Sequence, residues 1–132
     1  MQPLLFALLS LLSCQCGHGQ SRLDRRVRVR YVSFLIETLV SVPCDRFEKT
    51  FSASERKIWV PENTGQTDSL IKLAHEFKLA HWPNVDVRAV IEWQGNGTTI
   101  HYCFDGAGHF TDGKKVYTNK ALFAFLKKHI SF

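Results

Sequence analysis

The sequence contains few of the patterns that identify an enzyme. Nucleophile motifs built on Ser or Cys, glycine-rich loops that cradle phosphate groups and paired Cys clusters are all absent. Internal repeats and low-complexity blocks are absent as well. No motif therefore fixes a reaction, so whether the chain is an enzyme stays open, and we expect neither a cofactor nor a metal.

Long apolar runs are equally scarce. Residues 1–19 carry no acidic or basic side chain, and residues 4–12 form an apolar core of the length that a signal peptide uses. This core is too short to span a bilayer, which takes about 20 residues. We predict a signal peptide over residues 1–19, and hence a secreted protein without a transmembrane segment; a leader retained on a cytoplasmic protein is the alternative.

The excess of positive charge is local. The chain has 17 Lys and Arg against 12 Asp and Glu, a net charge of +5, and five arginines fall within residues 22–30. We interpret residues 20–29 as a solvated basic lead-in, in which Arg25 and Arg26 form a candidate processing site. The remaining chain has no basic stripe with interleaved aromatics, which argues against a nucleic-acid partner.

Cysteine is rare outside the leader. Cys14 and Cys16 lie in or beside it, so Cys44 and Cys103 are the pair left for a single intramolecular disulfide. Such a bond would stabilise the fold by about 4 kcal/mol in the chain-entropy treatment, and two buried thiols are the alternative. Asn96 begins an Asn-Gly-Thr glycosylation sequon on a predicted turn.

The first half of the chain has mainly helical periodicity. Polar and apolar side chains recur at spacings of three and four over residues 30–42, which predicts a helix that Pro43 ends. Asp45 lies three residues before Glu48, a capping-box spacing that predicts a short second helix. Residues 57–60 predict a brief strand.

A long helix followed by a hairpin is predicted next. The third helix starts at a cap on Thr67 or Asp68 and runs to Trp82. Two alternating runs, residues 85–93 and residues 99–104, are separated by a Gly-Asn-Gly turn, which is typical of an antiparallel hairpin. Because an amphipathic helix must bury its apolar side, we expect the long helix to lie across the sheet.

The closing segment, residues 115–132, fits two periods. Asn119 can cap a helix, but the same residues fit strands. We favour strands, because a sheet that supports three helices needs more of them. The prediction is a single α+β domain in which about three helices from the N-terminal half pack on a curved antiparallel sheet.

This order of elements resembles the NTF2-like superfamily, in particular its SnoaL-like and ketosteroid-isomerase-like branches. The resemblance runs from Tyr31 to Phe132 and implies a domain over residues 30–132 with a cone-shaped fold around a cavity, often dimeric through the exposed sheet face. The matching segments are the short helix at 45–51, the first strand at 58–61, the long helix at 68–82, the passage at 83–87 and the late strands at 121–125 with Ile130.

One position departs from the family's pattern. In the isomerase-like branch a carboxylate ends the first strand immediately before a proline, where an apolar pocket can tune it as a base. Here Val60 precedes Pro61, and Glu62 comes two residues later. The resemblance therefore does not carry a proton shuttle to this chain.

Other candidate site residues rest on strand alternation. Asp86, Glu92 and His101 can meet on one side of the hairpin as an acid–base group, or they can form its solvent face. His101 and Cys103 share a strand face, but no other histidine has a matching register for a metal. Five aromatic side chains can line a ligand pocket or pack in the core: Tyr31, Phe34, Trp59, Phe77 and Trp82.

Two functions remain open. The first is a SnoaL/NTF2-like protein that binds a small apolar molecule in a cone-shaped pocket, with catalysis undecided. The second is a non-catalytic protein-interaction or homodimerisation module that uses the sheet face. The first predicts an enclosed cavity with a polar group of shifted pKa, and the second predicts a filled interior and an exposed apolar surface.

Overall fold

The structure is a computed structural model that describes residues 26–95 and 97–131. The predicted signal peptide, most of the lead-in, Arg25 of the candidate processing site and the glycosylation candidate Asn96 lie outside the described residues. Among the described residues, no helix has the length and apolar composition needed to cross a membrane.

The described chain forms one antiparallel sheet with short helices. The strands are β1 (Arg26–Tyr31), β2 (Lys57–Trp59), β3 (Lys78–Ala80), β4 (Ala89–Gly95), β5 (Thr98–Phe104), β6 (His109–Thr111) and β7 (Val116–Thr118). The helices are α1 (Phe47–Thr50, preceded by a 3-10 turn at Cys44–Arg46), α2 (Thr64–Leu73) and α3 (Lys120–His129). The sheet is curved and its order is β2-β1-β4-β5-β6-β7-β3, so the predicted α+β class with a curved antiparallel sheet is confirmed.

The N-terminal prediction is wrong. Residues 26–29, interpreted as lead-in, belong to β1, and residues 32–43 form a loop where the first helix was predicted. In β1 the side chains of Val27, Val29 and Tyr31 are buried, while the intervening arginines lie on the other face. The Arg-Val alternation has the period of two that a strand requires, and pairing with β2 and β4 on either side fixes it.

The short helix and the first predicted strand are confirmed as α1 and β2, but the long helix is only partly right. The cap of α2 is Asn63, whose side chain accepts a hydrogen bond from the Gln66 backbone, so the helix starts before Thr67. It ends at Leu73, and Phe77 instead stacks on Tyr102 with ring centroids 4.3 Å apart. Residues 78–80 then pair with β7 as an edge strand, so sheet pairing overrides the helical pattern there.

The C-terminal preference for strands is wrong after Thr118, and the alternative of a helix is right. The Asn119 side chain accepts a hydrogen bond from the Leu122 backbone and donates one of 2.7 Å to the Leu73 carbonyl. It therefore caps α3 and ties that helix to the end of α2. Leu122 and Leu126 on α3 are fully buried against the sheet.

The hairpin β4–β5 is confirmed, although β4 starts at Ala89 rather than Val85. Ala89 and Ile91 face a first core that also contains Leu70, Phe104, Phe110, Leu122 and Leu126. Val85 and Val87 lie before the strand and join Val90 in a second core, on the other face, with Val32, Val42, Phe47, Phe51 and Cys103. Both faces of the sheet are therefore covered, the first by α2 and α3 and the second by the loop and α1.

A disulfide joins the second core to its cover. Cys44, in the 3-10 turn, is bonded to Cys103 of β5, with Cα atoms 5.6 Å apart and a sequence separation of 59 residues. The bond holds the chain that precedes α1 against the centre of the sheet.

Replacing both cysteines by Ala should lower the free energy of unfolding by about 4 kcal/mol, because the unfolded chain regains the entropy of a long loop. Chemical unfolding with and without a reducing agent measures this. Reduction should destabilise the unaltered protein and leave the Cys44→Ala/Cys103→Ala variant unchanged, whereas an equal response of both would contradict a stabilising bond.

Candidate functional site

The structure places two of the three predicted acid–base residues opposite each other and engages both carboxylates in hydrogen bonds. The Asp86 carboxylate lies before β4, where it accepts hydrogen bonds from the Val42 backbone at 2.8 Å and from Arg88 at 2.7 Å. Glu92 and His101 are directly opposite each other in the β4–β5 register. The Glu92 carboxylate is held by two arginines, so neither carboxylate is an unengaged base.

The arginines on this polar face form a charged network. Arg28 binds Glu92 at 2.8 Å, and Arg30 binds Glu92 at 2.6 Å and also binds Glu48 of α1. Glu48 in turn binds Arg56. The network ties α1 to β1 and β4, which is a structural role for Glu92.

The five predicted pocket aromatics pack against separate neighbours. Tyr31 is buried in the first core. The remaining four have distinct ring partners: Phe34 contacts Phe104 at 6.1 Å, Trp59 stacks on His129 at 5.0 Å, Phe77 stacks on Tyr102 at 4.3 Å and Trp82 stacks on His109 at 4.2 Å between centroids. Each of these rings is thus engaged in packing.

A metal site does not form among the described residues. No group of three or more His, Cys, Asp or Glu side chains in residues 26–95 and 97–131 is arranged to hold an ion. Cys103, which shares a strand face with His101, is bonded to Cys44 and has no thiolate to offer.

The most conspicuous surface is the loop of residues 33–43, which we call the apolar loop. Leu35 is 83% exposed, Val40 is 74% exposed and Leu39 is fully exposed. Exposing single apolar side chains is ordinary, but here three exposed aliphatic side chains fall within six residues of one loop. An open cleft of about 610 Å³ lies beside them, lined by residues 38–43 together with Arg46 and Thr50.

Arg88 fixes the middle of the apolar loop. Its guanidinium donates to the Ile36 carbonyl at 3.2 Å and to the Thr38 hydroxyl at 3.2 Å, although the whole residue is only 5% exposed. The Thr38 hydroxyl donates in turn to the Val40 carbonyl at 2.7 Å. The loop is therefore held near its middle by a buried side chain.

Other contacts hold Arg88 and the ends of the loop. Asp86 accepts from both Arg88 and the Val42 backbone, and the Val87 backbone donates to the Val42 carbonyl at 2.9 Å. At the other end, the Val32 backbone donates to the Arg88 carbonyl at 3.0 Å. The Arg88 guanidinium also lies 5.6 Å from the centre of the Phe51 ring, a favourable cation–π distance.

Sequence reasoning missed this site because it treated Arg88 as one residue of an alternating strand. Its hydrogen-bond partner Ile36 is 52 residues away in sequence. The available signal was compositional, since an arginine between Val87 and Ala89 in an otherwise apolar segment needs buried acceptors.

A second group of aromatics packs against the first core from β4, β5, β7 and the chain before β3. Phe77, Trp93, Tyr102 and Tyr117 are partly buried and contact one another, with the Trp93 and Tyr102 centroids 5.8 Å apart. The Tyr117 hydroxyl donates to Asp112 at 3.2 Å. Burial, and then the Asp112 charge, raise the pKa of the Tyr102 hydroxyl.

Asp112 organises the turn between β6 and β7. Its Oδ1 accepts hydrogen bonds of 2.8 Å from the backbones of Lys114 and Lys115. Burial by itself would raise the pKa of Asp112, but these bonds and the Tyr117 hydroxyl together lower it below its ordinary value.

Comparison with protein-family models, with curated proteins and with solved structures finds no match to this chain.

Changing Arg88 to Ala should lower the free energy of unfolding by on the order of 3 kcal/mol, because two loop acceptors and Asp86 lose a buried donor. Hydrogen exchange should also show faster exchange at the Val42 amide. Arg28→Ala is the matched control, since an exposed ion pair contributes about 1 kcal/mol or less. Equal losses for the two variants would refute a special role for Arg88.

Changing Asp112 to Asn should destabilise the protein at neutral pH. A carboxyl whose folded pKa is lowered stabilises fully above its unfolded pKa of about 3.9, and this stability is lost as the pH falls through the lower folded pKa. Urea unfolding from pH 7 to about pH 2 should show the wild-type advantage shrinking below about pH 4. Glu37→Gln, at an exposed loop position, should show no such advantage.

Proposed function

We propose that this protein is a non-catalytic protein-interaction module whose contact surface is the apolar loop. The observation that carries the proposal is that Leu35, Leu39 and Val40 lie in solvent on a loop fixed by the buried Arg88. A chain that binds nothing there would gain no advantage from exposing aliphatic side chains on an ordered loop. Preorganisation lowers the entropy lost on binding and so favours a recognition role.

The loop, rather than the sheet face of the sequence-based hypothesis, is the better contact surface. The part of that face beyond the second core carries Arg28, Glu92 and His101, of which the first two are ion-paired. Charged residues are depleted at the centres of interfaces. The three aliphatic residues of the loop are the kind of side chain that such centres bury.

The apolar loop favours a different protein over a second copy as its partner. Three aliphatic side chains bury far less than the roughly 800 Å² per partner of a standard interface, and a two-fold dimer needs a surface that is complementary to itself. Self-association through the loop would bring the Glu37 carboxylates of two copies close together, which disfavours a second copy. The partner is therefore a different protein with an apolar cleft, and the exposed Glu37 beside the aliphatic residues favours a basic group on its rim.

Three features support a binding role without catalysis. Asp86 and Glu92 are engaged by arginines, and Cys103 is part of a disulfide. The first core is filled by fully buried large side chains, among them Phe104 and Phe110. These are the features expected of an interaction module with a filled interior.

Binding of a small apolar molecule in an NTF2-like cone is the second proposal. The curved sheet with α2 and α3 on one face supports it, and the partly buried group of Phe77, Trp93, Tyr102 and Tyr117 is the place where such a molecule would contact rings. Thermal unfolding with a panel of apolar compounds tests it. A shift in melting temperature that Tyr102→Ala abolishes would favour it over the interaction module.

Secretion also stays a proposal. The Cys44–Cys103 bond supports it, because disulfides persist mainly in oxidising compartments. Mass spectrometry of the protein from culture medium should find the mature N-terminus near residues 17–20.

The loop proposal predicts that a partner is lost when two exposed aliphatic residues become charged. Affinity capture with the whole protein should retain at least one protein that Leu39→Asp/Val40→Asp loses and Ile58→Asp keeps. Ile58 is a matched control because it is an aliphatic residue of β2 with 64% exposure. Both variants should melt within a few degrees of wild type, since exposed positions contribute about 0.5 kcal/mol or less.

The captured protein is then purified and titrated directly. Loss of two aliphatic contacts of about 1.5–3 kcal/mol each should weaken binding by at least about a hundredfold. If no retained protein distinguishes the loop variant from the Ile58 control, the proposal fails.

A further inference from the structure

An open groove lies where the chain leaves β3. Its walls are residues 79–83 on one side and Lys114, Lys115 and Val116 on the other, and its volume is about 580 Å³. The groove and the cleft beside the apolar loop have no lining residue in common, although Val116 and Ile36 both pack against the second core. The volume lies within the range of about 300–1,000 Å³ that is typical of ligand sites.

The strand beside the groove is an edge. β3 pairs with β7 on one side, and no strand within residues 26–95 and 97–131 pairs with its other side. Leu79 on this strand is 63% exposed. The groove lies on the paired side, between the chain that leaves β3 and the chain that enters β7, where a short extended segment can lie at the end of the strand pair.

Trp82 is held in place at the groove. Its ring, on a residue that is 50% exposed, stacks on His109 with centroids 4.2 Å apart and planes 11° apart. His109 Nδ1 is 2.9 Å from the Asp105 carboxylate, which is buried and also accepts from the His109 and Ala107 backbones. A large aromatic ring that is already fixed loses little entropy on binding, as is typical of interface hot spots.

The other wall is fixed and basic. Asp112 binds the backbones of Lys114 and Lys115, and the Thr111 hydroxyl donates to the Lys115 carbonyl at 2.8 Å. The residues that line the groove include these two lysines and His81 but no carboxylate. An acidic group is therefore the complementary ligand chemistry.

We propose that this groove binds an extended peptide segment in which an acidic side chain neighbours an apolar one. The apolar side chain contacts Trp82 and Leu79, and the carboxylate pairs with Lys114 and Lys115. A second copy of this chain is a poorer occupant, because the chain has a net charge of +5 and the groove is itself basic. The site is independent of the apolar loop.

Fluorescence anisotropy with labelled synthetic peptides tests this. The probe alternates Glu with Val or Phe, and a control peptide has Lys in place of every Glu. The acidic peptide should bind saturably and more weakly as salt is raised, while the Lys peptide should not bind. Trp82→Ala and Lys114→Glu/Lys115→Glu should each weaken binding at least tenfold, which is about 1.4 kcal/mol.

Two variants act as controls. Ile58→Asp changes the opposite edge strand, and Leu39→Asp/Val40→Asp changes the apolar loop; both should bind the peptide as wild type does. This result would also show that the two binding surfaces are independent, since either proposal can be wrong while the other holds. Amide chemical shifts in the whole protein should change at residues 78–80 on binding.

Several results would overturn the proposal. They are the absence of saturable binding of the acidic peptide at millimolar concentration, equal binding of the acidic and Lys peptides, and binding that the groove variants leave intact. A fourth result is a dimer of the wild-type protein in sedimentation velocity that dissociates in the Trp82→Ala variant. The occupant of the groove would then be a second copy of this chain rather than a peptide.

Discussion

The buried guanidinium of Arg88 is the interaction on which the second face of the sheet depends. A charge at this depth is costly unless its donors are used. Arg88 uses them on Asp86, on the Ile36 carbonyl and on the Thr38 hydroxyl, and so connects the segment before β4 to a loop that has no regular hydrogen bonding of its own. Residues 33–43 form neither helix nor strand, so these side-chain bonds help to fix the conformation of the loop.

The two faces of the sheet are therefore stabilised in different ways. The first core contains long apolar side chains from both longer helices and most strands, which is the ordinary source of stability in a small domain. The second core is smaller and is closed by a disulfide and a buried arginine rather than by a long helix. Because the loop and α1 bury little apolar surface, the disulfide and the Arg88 hydrogen bonds supply part of the stability of this face. Leu35, Leu39 and Val40 lie on its outer surface.

Short sequence patterns correctly predicted the elements that are determined by interactions between residues close in sequence. The short helix after Asp45, β2 and the β4–β5 hairpin follow from segment length and turn residues within a few positions. The predicted capping box on Asp45 and Glu48 is wrong, because no side chain caps α1 and Glu48 binds Arg30 and Arg56 instead. The third helix ends at Leu73 rather than at Trp82, because Phe77 stacks on Tyr102 of β5 and residues 78–80 pair with β7. Residues 30–42 have helical spacing, but Arg30 and Tyr31 pair with β4 as part of β1. The following residues form a loop in which Ile36 accepts a hydrogen bond from Arg88.

The candidate sites were harder to predict than the fold for one physical reason. Catalytic reasoning searches for unpaired polar groups, but here Asp86, Asp105, Asp112 and Glu92 hold other residues in place. Asp86 shares Arg88 with the apolar loop, and Asp105 fixes His109 beneath Trp82. In both places a buried charged residue orders an exposed apolar one. The polar residues therefore indicate where binding surfaces lie, because the cost of ordering apolar side chains in water has already been met by buried hydrogen bonds.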